Sequence, residues 1–291
     1  NIGDSIGVGQ AASGGGIGDT TPYYDAVWST GYDAGDSVDS FNERLEELDS
    51  SGYYENTAAR DAVFNHAVSG AVMADFATQA QNVVASTSQV PGNTTGMVDV
   101  LLGNNDVCAD TLADMTDPLL FETQYRAGLD VLAASPATRS ARINVVGVPA
   151  IYWLWDAKES NFLCRLIWSA VPCKNLLAEP GDDCASSASR NDPDTDYAGD
   201  GEKCKHRKDL HQTNRDIYNP ILRDVLDEYR AAGDLPNAHY TELYDVRFES
   251  RHVSDSDCFH PSETGHALLA GEAWCRAPWG AADAQCSNPG P

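Results

Sequence analysis

Lysine is scarce in this 291-residue chain: five occur, at 158, 174, 203, 205 and 208. Lysine and arginine together number 19 against 44 acidic residues, giving a formal net charge of −25. A surface this acidic repels phosphate backbones, so nucleic acid is not an expected partner. It gains nothing electrostatically at an anionic bilayer either. Long apolar runs are missing as well. A membrane span needs about 18 such residues, and the longest candidate, FLCRLIWSAVPC at 162–173, is shorter and carries Arg165. No transmembrane segment is expected. There is no CxxC pair and no HExxH, the spacings that mark common zinc sites. Internal repeats and low-complexity linkers are absent too.

What is present reads as a globular protein. Hydrophobic residues make up 42% of the chain, enough for a sizeable core. Asp outnumbers Glu, a pattern that suits a salt-adapted protein kept soluble by its carboxylates. The eight cysteines, an even number without metal spacing, point to disulfides in an oxidising compartment. A secreted or periplasmic location follows, and the chain starts inside a motif, so an upstream segment is expected to have been removed or omitted. Many pairings are open; Cys275 with Cys286 is the expected local closure. NTT at 93–95 is a glycosylation sequon, which matters only in a eukaryotic secretory host.

Short β-rich runs alternate with amphipathic stretches. Helices are expected at 37–48, 71–86, 118–134, 214–232 (stopped by Gly233) and 262–274. Strands are expected at 97–106 (ending in a polar turn), 142–149 and 238–244, and 61–70 reads as a short strand running into a loop. The tryptophan- and cysteine-rich stretch at about 152–210 breaks the rhythm. This predicts one α/β domain over 1–291, a parallel sheet with helices on both faces and one insertion, with ligands bound beyond the carboxyl ends of the strands.

Four separated stretches sit where such a site would form: GDS (3–5), NHAVSG (65–70), GNND (103–106) and DCFH (257–260). In this order they resemble the SGNH (GDSL-type) hydrolases over nearly the whole chain. The flanks GVPAIYWLW, LCRLIWSAVPC and FHPSETGHALLA look like secreted bacterial esterases and lipases of that family. The resemblance implies a three-layer α/β/α flavodoxin-like fold and ester hydrolysis through an acyl-enzyme. It implies Ser5 as nucleophile, His260 as base and Asp257 as orienting acid, with the Ser5 and Gly70 N–H groups and the Asn105 amide as oxyanion donors. The chemistry requires these types: a serine hydroxyl is a poor nucleophile until a base takes its proton, and a carboxylate must fix the imidazole tautomer. The family normally has a strand directly before Gly-Asp-Ser. Here only Asn1 and Ile2 precede it, so the strand lies outside these residues or the sheet is built differently.

Each residue has a plainer reading. Ser5 alone is a turn serine. Asp255 competes with Asp257, and Asn104 with Asn105. His66, His239, His252 and His266 read as structural or exposed. GDSIG also fits G-x-S-x-G, but a nucleophile elbow follows several strands and nothing of that kind precedes Ser5. The acidic loop 191–202 alternates Asp192, Asp194 and Asp196 like the start of a calcium loop, yet Tyr197 and Lys203 stand where glycine and glutamate belong. No cofactor and no catalytic metal are therefore expected, with structural calcium there the alternative. The expected substrate is a small-molecule or lipid ester and the expected state a monomer. The lipolytic reading has two rivals: a carbohydrate O-acetylesterase on the same fold, and a binding module without activity. The Trp-rich segment 152–173 either walls an acyl pocket or packs against the sheet.

Overall fold

The computed structural model describes residues 1–33, 35–48, 57–89, 95–171, 173–177, 182–283 and 286. Asn93 and Thr94 of the sequon lie outside them. Four strands form one sheet in the order β1 (Ile2–Gly3), β2 (Met97–Leu101), β3 (Arg142–Val146) and β4 (Ala238–Thr241). All pairs are parallel, with Ile2 opposite Val100, Val98 opposite Ile143 and Val145 opposite Tyr240. The helices of the first half are α1 (Phe41–Leu48), α2 (Ala58–Phe64), α3 (Phe76–Ser86), α4 (Asn104–Val107), α5 (Pro118–Ala134) and α6 (Pro136–Arg139). Those of the second half are α7 (Ile151–Lys158), α8 (Phe162–Trp168), α9 (Lys174–Leu177), α10 (Ser187–Arg190), α11 (Glu202–Thr213), α12 (Asn219–Ala232) and α13 (Glu263–Arg276).

The stretch 61–70 departs from its expectation. It begins in helix α2, because alanines with a threonine cap (the Thr57 side chain accepts from the Arg60 N–H) outweigh the β preference of Val63 and Phe64. From Phe64 onward the backbone does run beside β1. The Asn1 nitrogen donates to Phe64 O, His66 N–H to Asn1 O and Val68 N–H to Gly3 O, the alternation of a parallel ladder. The spatial order is thus 64–68, β1, β2, β3, β4: the chain first steps to one side of β1 and then returns to the other. That reversal makes the crevice beyond β1 and β2 the natural ligand site.

Helices α3, α5 and α12 cover one face. Each presents apolar residues at helical spacing: Phe76, Ala80 and Val83; Phe121, Tyr125, Leu129 and Leu132; Leu222, Val225 and Leu226. Asp117 caps α5 with its carboxylate on two backbone N–H groups, and Gly233 ends α12 at φ +77°. A methyl group at Gly128 would lie 2.1 Å from the Phe76 ring, so only glycine lets α5 approach α3 there. On the other face Phe41 of α1 meets Trp28 and Trp274 of α13 edge-on at 5.8 and 5.2 Å. β4 shows both layers: the Tyr240 hydroxyl lies beside Gly147 near Asn219 of α12, whereas His239 meets Trp279.

The expected helix at 214–232 is continuous with α11 through a π-helical turn, Asn214–Tyr218. The wider turn rotates Ile217 outward to 38% exposure, away from the face its spacing assigned. Disulfides join Cys108–Cys173, Cys164–Cys258, Cys184–Cys204 and Cys275–Cys286, the last as expected. Among the described residues no helix is long and apolar enough to cross a membrane.

Candidate active site

Ser5 stands two residues beyond β1, which contributes only Ile2 and Gly3 to the sheet. The Gly3 end of this strand is completed by Gln79 of α3. Its side-chain amide accepts from the Gly3 N–H at 2.8 Å and donates to Gly3 O at 2.9 Å. Asp4 is fully buried, taking the Ile6 N–H on one oxygen and the Asn104 amide on the other, at 2.9 and 2.8 Å. Burial outweighs these donors and raises the Asp4 carboxyl to about 6.

After β2, Gly103 takes φ +118° and starts the one-turn helix α4. Asn105 donates its amide to Ala71 O at 2.9 Å and lines a cleft together with Ser5. Asp106 braces the turn, accepting from Met73 N–H and the Thr116 hydroxyl, both at 2.8 Å. Gly70 is exposed at φ +80° and is not part of the cleft wall, but its neighbour Ala71 is the residue Asn105 holds. Asn104 reaches the cleft too, while its amide is spent on Asp4.

The Asp257–His260 turn closes on itself. One Asp257 oxygen accepts from the Phe259 and His260 N–H groups, and the other lies 2.6 Å from His260 Nδ1. Burial pushes the Asp257 carboxyl up, but the His260 hydrogen bond and charge together with the backbone donors bring it below its ordinary value. Asp255 turns away: it is 86% exposed and pairs at 2.5 Å with Lys158, itself buried. His260 lines the same cleft as Ser5.

The other histidines sort themselves by partner. His66 meets the Ser86 hydroxyl, and burial lowers it to about 4. His266 is fully buried, accepts the Trp28 N–H on Nδ1, and burial lowers it to about 3. His252, read as structural or exposed, instead forms part of the cleft wall while its Nδ1 accepts the Glu249 N–H.

Ile6, Pro149, Ile151, Leu154, Phe248 and Phe259 give the cleft a mostly apolar wall. Ile151 and Leu154 come from α7, so the insertion does contribute to the cleft. Its tryptophans do not: Trp155 lies against the Arg190 and Arg207 guanidinium groups, Trp153 against Arg247, and Trp168 is fully buried. In the acidic loop each carboxylate answers to its own donor. Asp192 accepts from the Tyr197 hydroxyl, Asp194 pairs with His211 and Arg215, and Asp196 accepts from Gln212. Among the described residues one trio of metal-ligand type comes together, Cys184, Asp200 and Cys204. Its sulfurs are bonded to each other, and Asp200 is held by Lys208 at 2.9 Å.

The sequence matches the family profile described as GDSL-like Lipase/Acylhydrolase over residues 1–273. The chain belongs to this family. No curated protein matches it. As a GDSL-like acylhydrolase it is an ester-hydrolysing serine hydrolase, and the matched span takes in the whole sheet, the cleft and most of α13. Phe248 and His252 line this hydrolase's cleft and Gln79 supports the strand beside it, yet none of the three sits in a motif; Asp4 was seen only as the middle of GDS. A lone glutamine in a helix gives no signal that it serves a strand.

Proposed function

We propose that this chain is a secreted, lipolytic carboxylesterase in which Ser5 is the nucleophile, His260 its base and Asp257 the carboxylate that orients the imidazole. One observation carries the reading: Ser5 and His260 line the same cleft while Asp257 engages the far side of the imidazole at 2.6 Å. The Ser5 Oγ attacks the ester carbonyl carbon as its proton passes to His260 Nε2. The oxyanion is met by the Ser5 N–H group and the Asn105 amide. The carbonyl then reforms, the ester C–O bond breaks, and the alcohol leaves with the proton from His260. Water repeats the sequence on the acyl-serine, giving the carboxylic acid and returning the proton to Ser5. No cofactor is needed.

A lipid ester is favoured by the apolar cleft wall and by what surrounds it. Phe162, Leu163 and Leu166 of α8, with Leu119 and Leu120 at the start of α5, are 49–72% exposed. Helix α8 is joined to the Asp257–His260 turn through Cys164–Cys258. Exposed apolar groups on a helix bonded to that turn suit a substrate with acyl chains. The chain acts as one domain with an inserted 152–210 segment, and as a monomer.

The test is hydrolysis of p-nitrophenyl esters from acetate to palmitate, and of acetylated sugars, by wild type and Ser5→Ala over a salt series. Wild type is expected to prefer medium or long acyl chains, with Ser5→Ala at least about 10³-fold slower. Equal rates would remove Ser5 from the mechanism. A clear preference for acetylated sugars would replace the lipolytic reading with an O-acetylesterase.

A further inference from the structure

Two of the disulfides end on one short stretch of the insertion, with Cys173 bonded to Cys108 and Cys164 to Cys258. Their other ends reach the two sides of the candidate site. Cys108 directly follows α4, and its N–H closes that turn on Asn104 O at 2.9 Å, so Asn105 sits within the anchored turn. Cys258 lies between Asp257 and His260. Between the two anchor points, Trp168 is fully buried and donates its indole N–H to Cys258 O at 2.7 Å. Cys164 and Trp168 are one turn apart on α8, so a single helix face grips residue 258 by a covalent bond and a hydrogen bond.

Backbone conformation marks the same points. Three non-glycine residues with positive φ occur among the described residues: Ala11, Cys173 and Cys258, the latter two at +50° and +57°. Such residues persist only where their surroundings hold them. The Asp257–His260 turn is tied to the loop after Ser5 by hydrogen bonds, through Ser254 to Ala11 O and through Gly18 to Ser256 O. The covalent connection between that turn and the α4 side of the cleft runs through 164–173.

Resting on the roles proposed above for Asn105, Asp257 and His260, we infer that residues 164–171 together with Cys173 form a clasp that fixes the spacing between the oxyanion amide and the acid–base pair, with Cys164, Cys258, Cys108, Cys173 and Trp168 as positioning residues. The clasp touches no substrate. It acts by keeping two loops in the arrangement in which a carbonyl between them meets both the amide and the imidazole, and a misplacement near 1 Å costs about 10²-fold in rate.

The experiment compares the full chain carrying Cys164→Ser with Cys258→Ser against Cys184→Ser with Cys204→Ser, a disulfide away from the cleft, and against Trp168→Phe. Circular dichroism establishes folding, and a short soluble ester gives kcat and KM separately. The clasp predicts that the folded Cys164/Cys258 variant loses about 10–10²-fold in kcat with KM within about 2-fold. The Cys184/Cys204 variant keeps wild-type kcat even with a lowered Tm, and Trp168→Phe shows a smaller kcat loss of the same kind. If the folded Cys164/Cys258 variant matches the control in kcat, the clasp is wrong. If that variant does not fold, Trp168→Phe decides: a kcat loss with unchanged KM supports the clasp, and an unchanged kcat overturns it. Ser5→Ala run alongside separates this from the underlying mechanism, since an active Ser5→Ala enzyme would sink the site assignment rather than the clasp.

Discussion

Asn104 donates its amide to Asp4 at 2.8 Å, which ties the residue before the candidate nucleophile to the residue before the candidate oxyanion donor. The two adjacent asparagines thus hold different partners, Asn104 the Asp4 carboxylate and Asn105 the Ala71 carbonyl.

That division is measurable by alanine substitution. Asn105→Ala should lower kcat about 10²–10³-fold with little change in KM, as loss of one oxyanion donor does elsewhere. Asn104→Ala should affect stability first, by about 1–3 kcal/mol, because buried Asp4 loses a donor. Kinetics and urea unfolding on both variants check this; the reverse pattern would exchange the roles of Asn104 and Asn105.

The two carboxylates near His260 separate in the same way. Asp257→Asn is expected to reduce kcat by about 10²–10⁴-fold near neutral pH, since an amide no longer holds the correct imidazole tautomer. Asp255→Asn removes only the partner of Lys158 and should leave kcat close to wild type. Steady-state kinetics of the pair suffices.

His266 predicts a pH effect on folding. Its folded value of about 3 lies below the ordinary 6.5 because burial excludes the imidazolium. The unfolded chain therefore binds this proton first, and the stability that neutral His266 contributes is complete above 6.5 and falls as pH drops toward 3. Between 6.5 and 5 the loss is about 2 kcal/mol. Asp4 and Asp99, raised to about 6 chiefly by burial, act in the opposite sense, gaining stability as pH falls through the same window. A difference measurement isolates the histidine: from pH 7 to 5, wild type should lose about 2 kcal/mol more than His266→Gln in urea unfolding. Parallel losses would place His266 in a more solvated setting.

Leu154 tests the acyl wall. A tryptophan there fills part of the cleft, so kcat/KM on long-chain esters should drop at least about 10-fold relative to acetate. An unchanged chain-length profile would put the acyl chain elsewhere.

Much of this was legible in the sequence because it depends on local order. Asp117 with Pro118 starts α5 as such a pair should, Gly233 stops α12, and the DCFH spacing lets one turn hold both Asp257 and His260. What stayed hidden depends on distant partners. The strand expected at 61–70 begins as the end of α2, and only 64–68 becomes sheet-like, through its partners on β1. The π turn at 214–218 shifted a helix register that periodicity alone kept in phase, and Asp255 was discounted by geometry only once Lys158 took it. The tryptophans of the insertion could have been pocket walls or packing; Trp153 and Trp155 give their faces to arginines and Trp168 is buried against Cys258, leaving Ile151 and Leu154 to meet the cleft.

Gln79 carries a consequence for assembly. Both backbone groups of Gly3 are satisfied by a side chain 76 residues downstream, and the remaining pairing comes from Val68 and Leu101. Contacts that span so much chain form late, after the intervening loop has been closed. On a growing polypeptide the serine leaves the ribosome long before anything exists to hold it. Gly3, two residues before the candidate nucleophile, gains these partners only after Gln79 has been made.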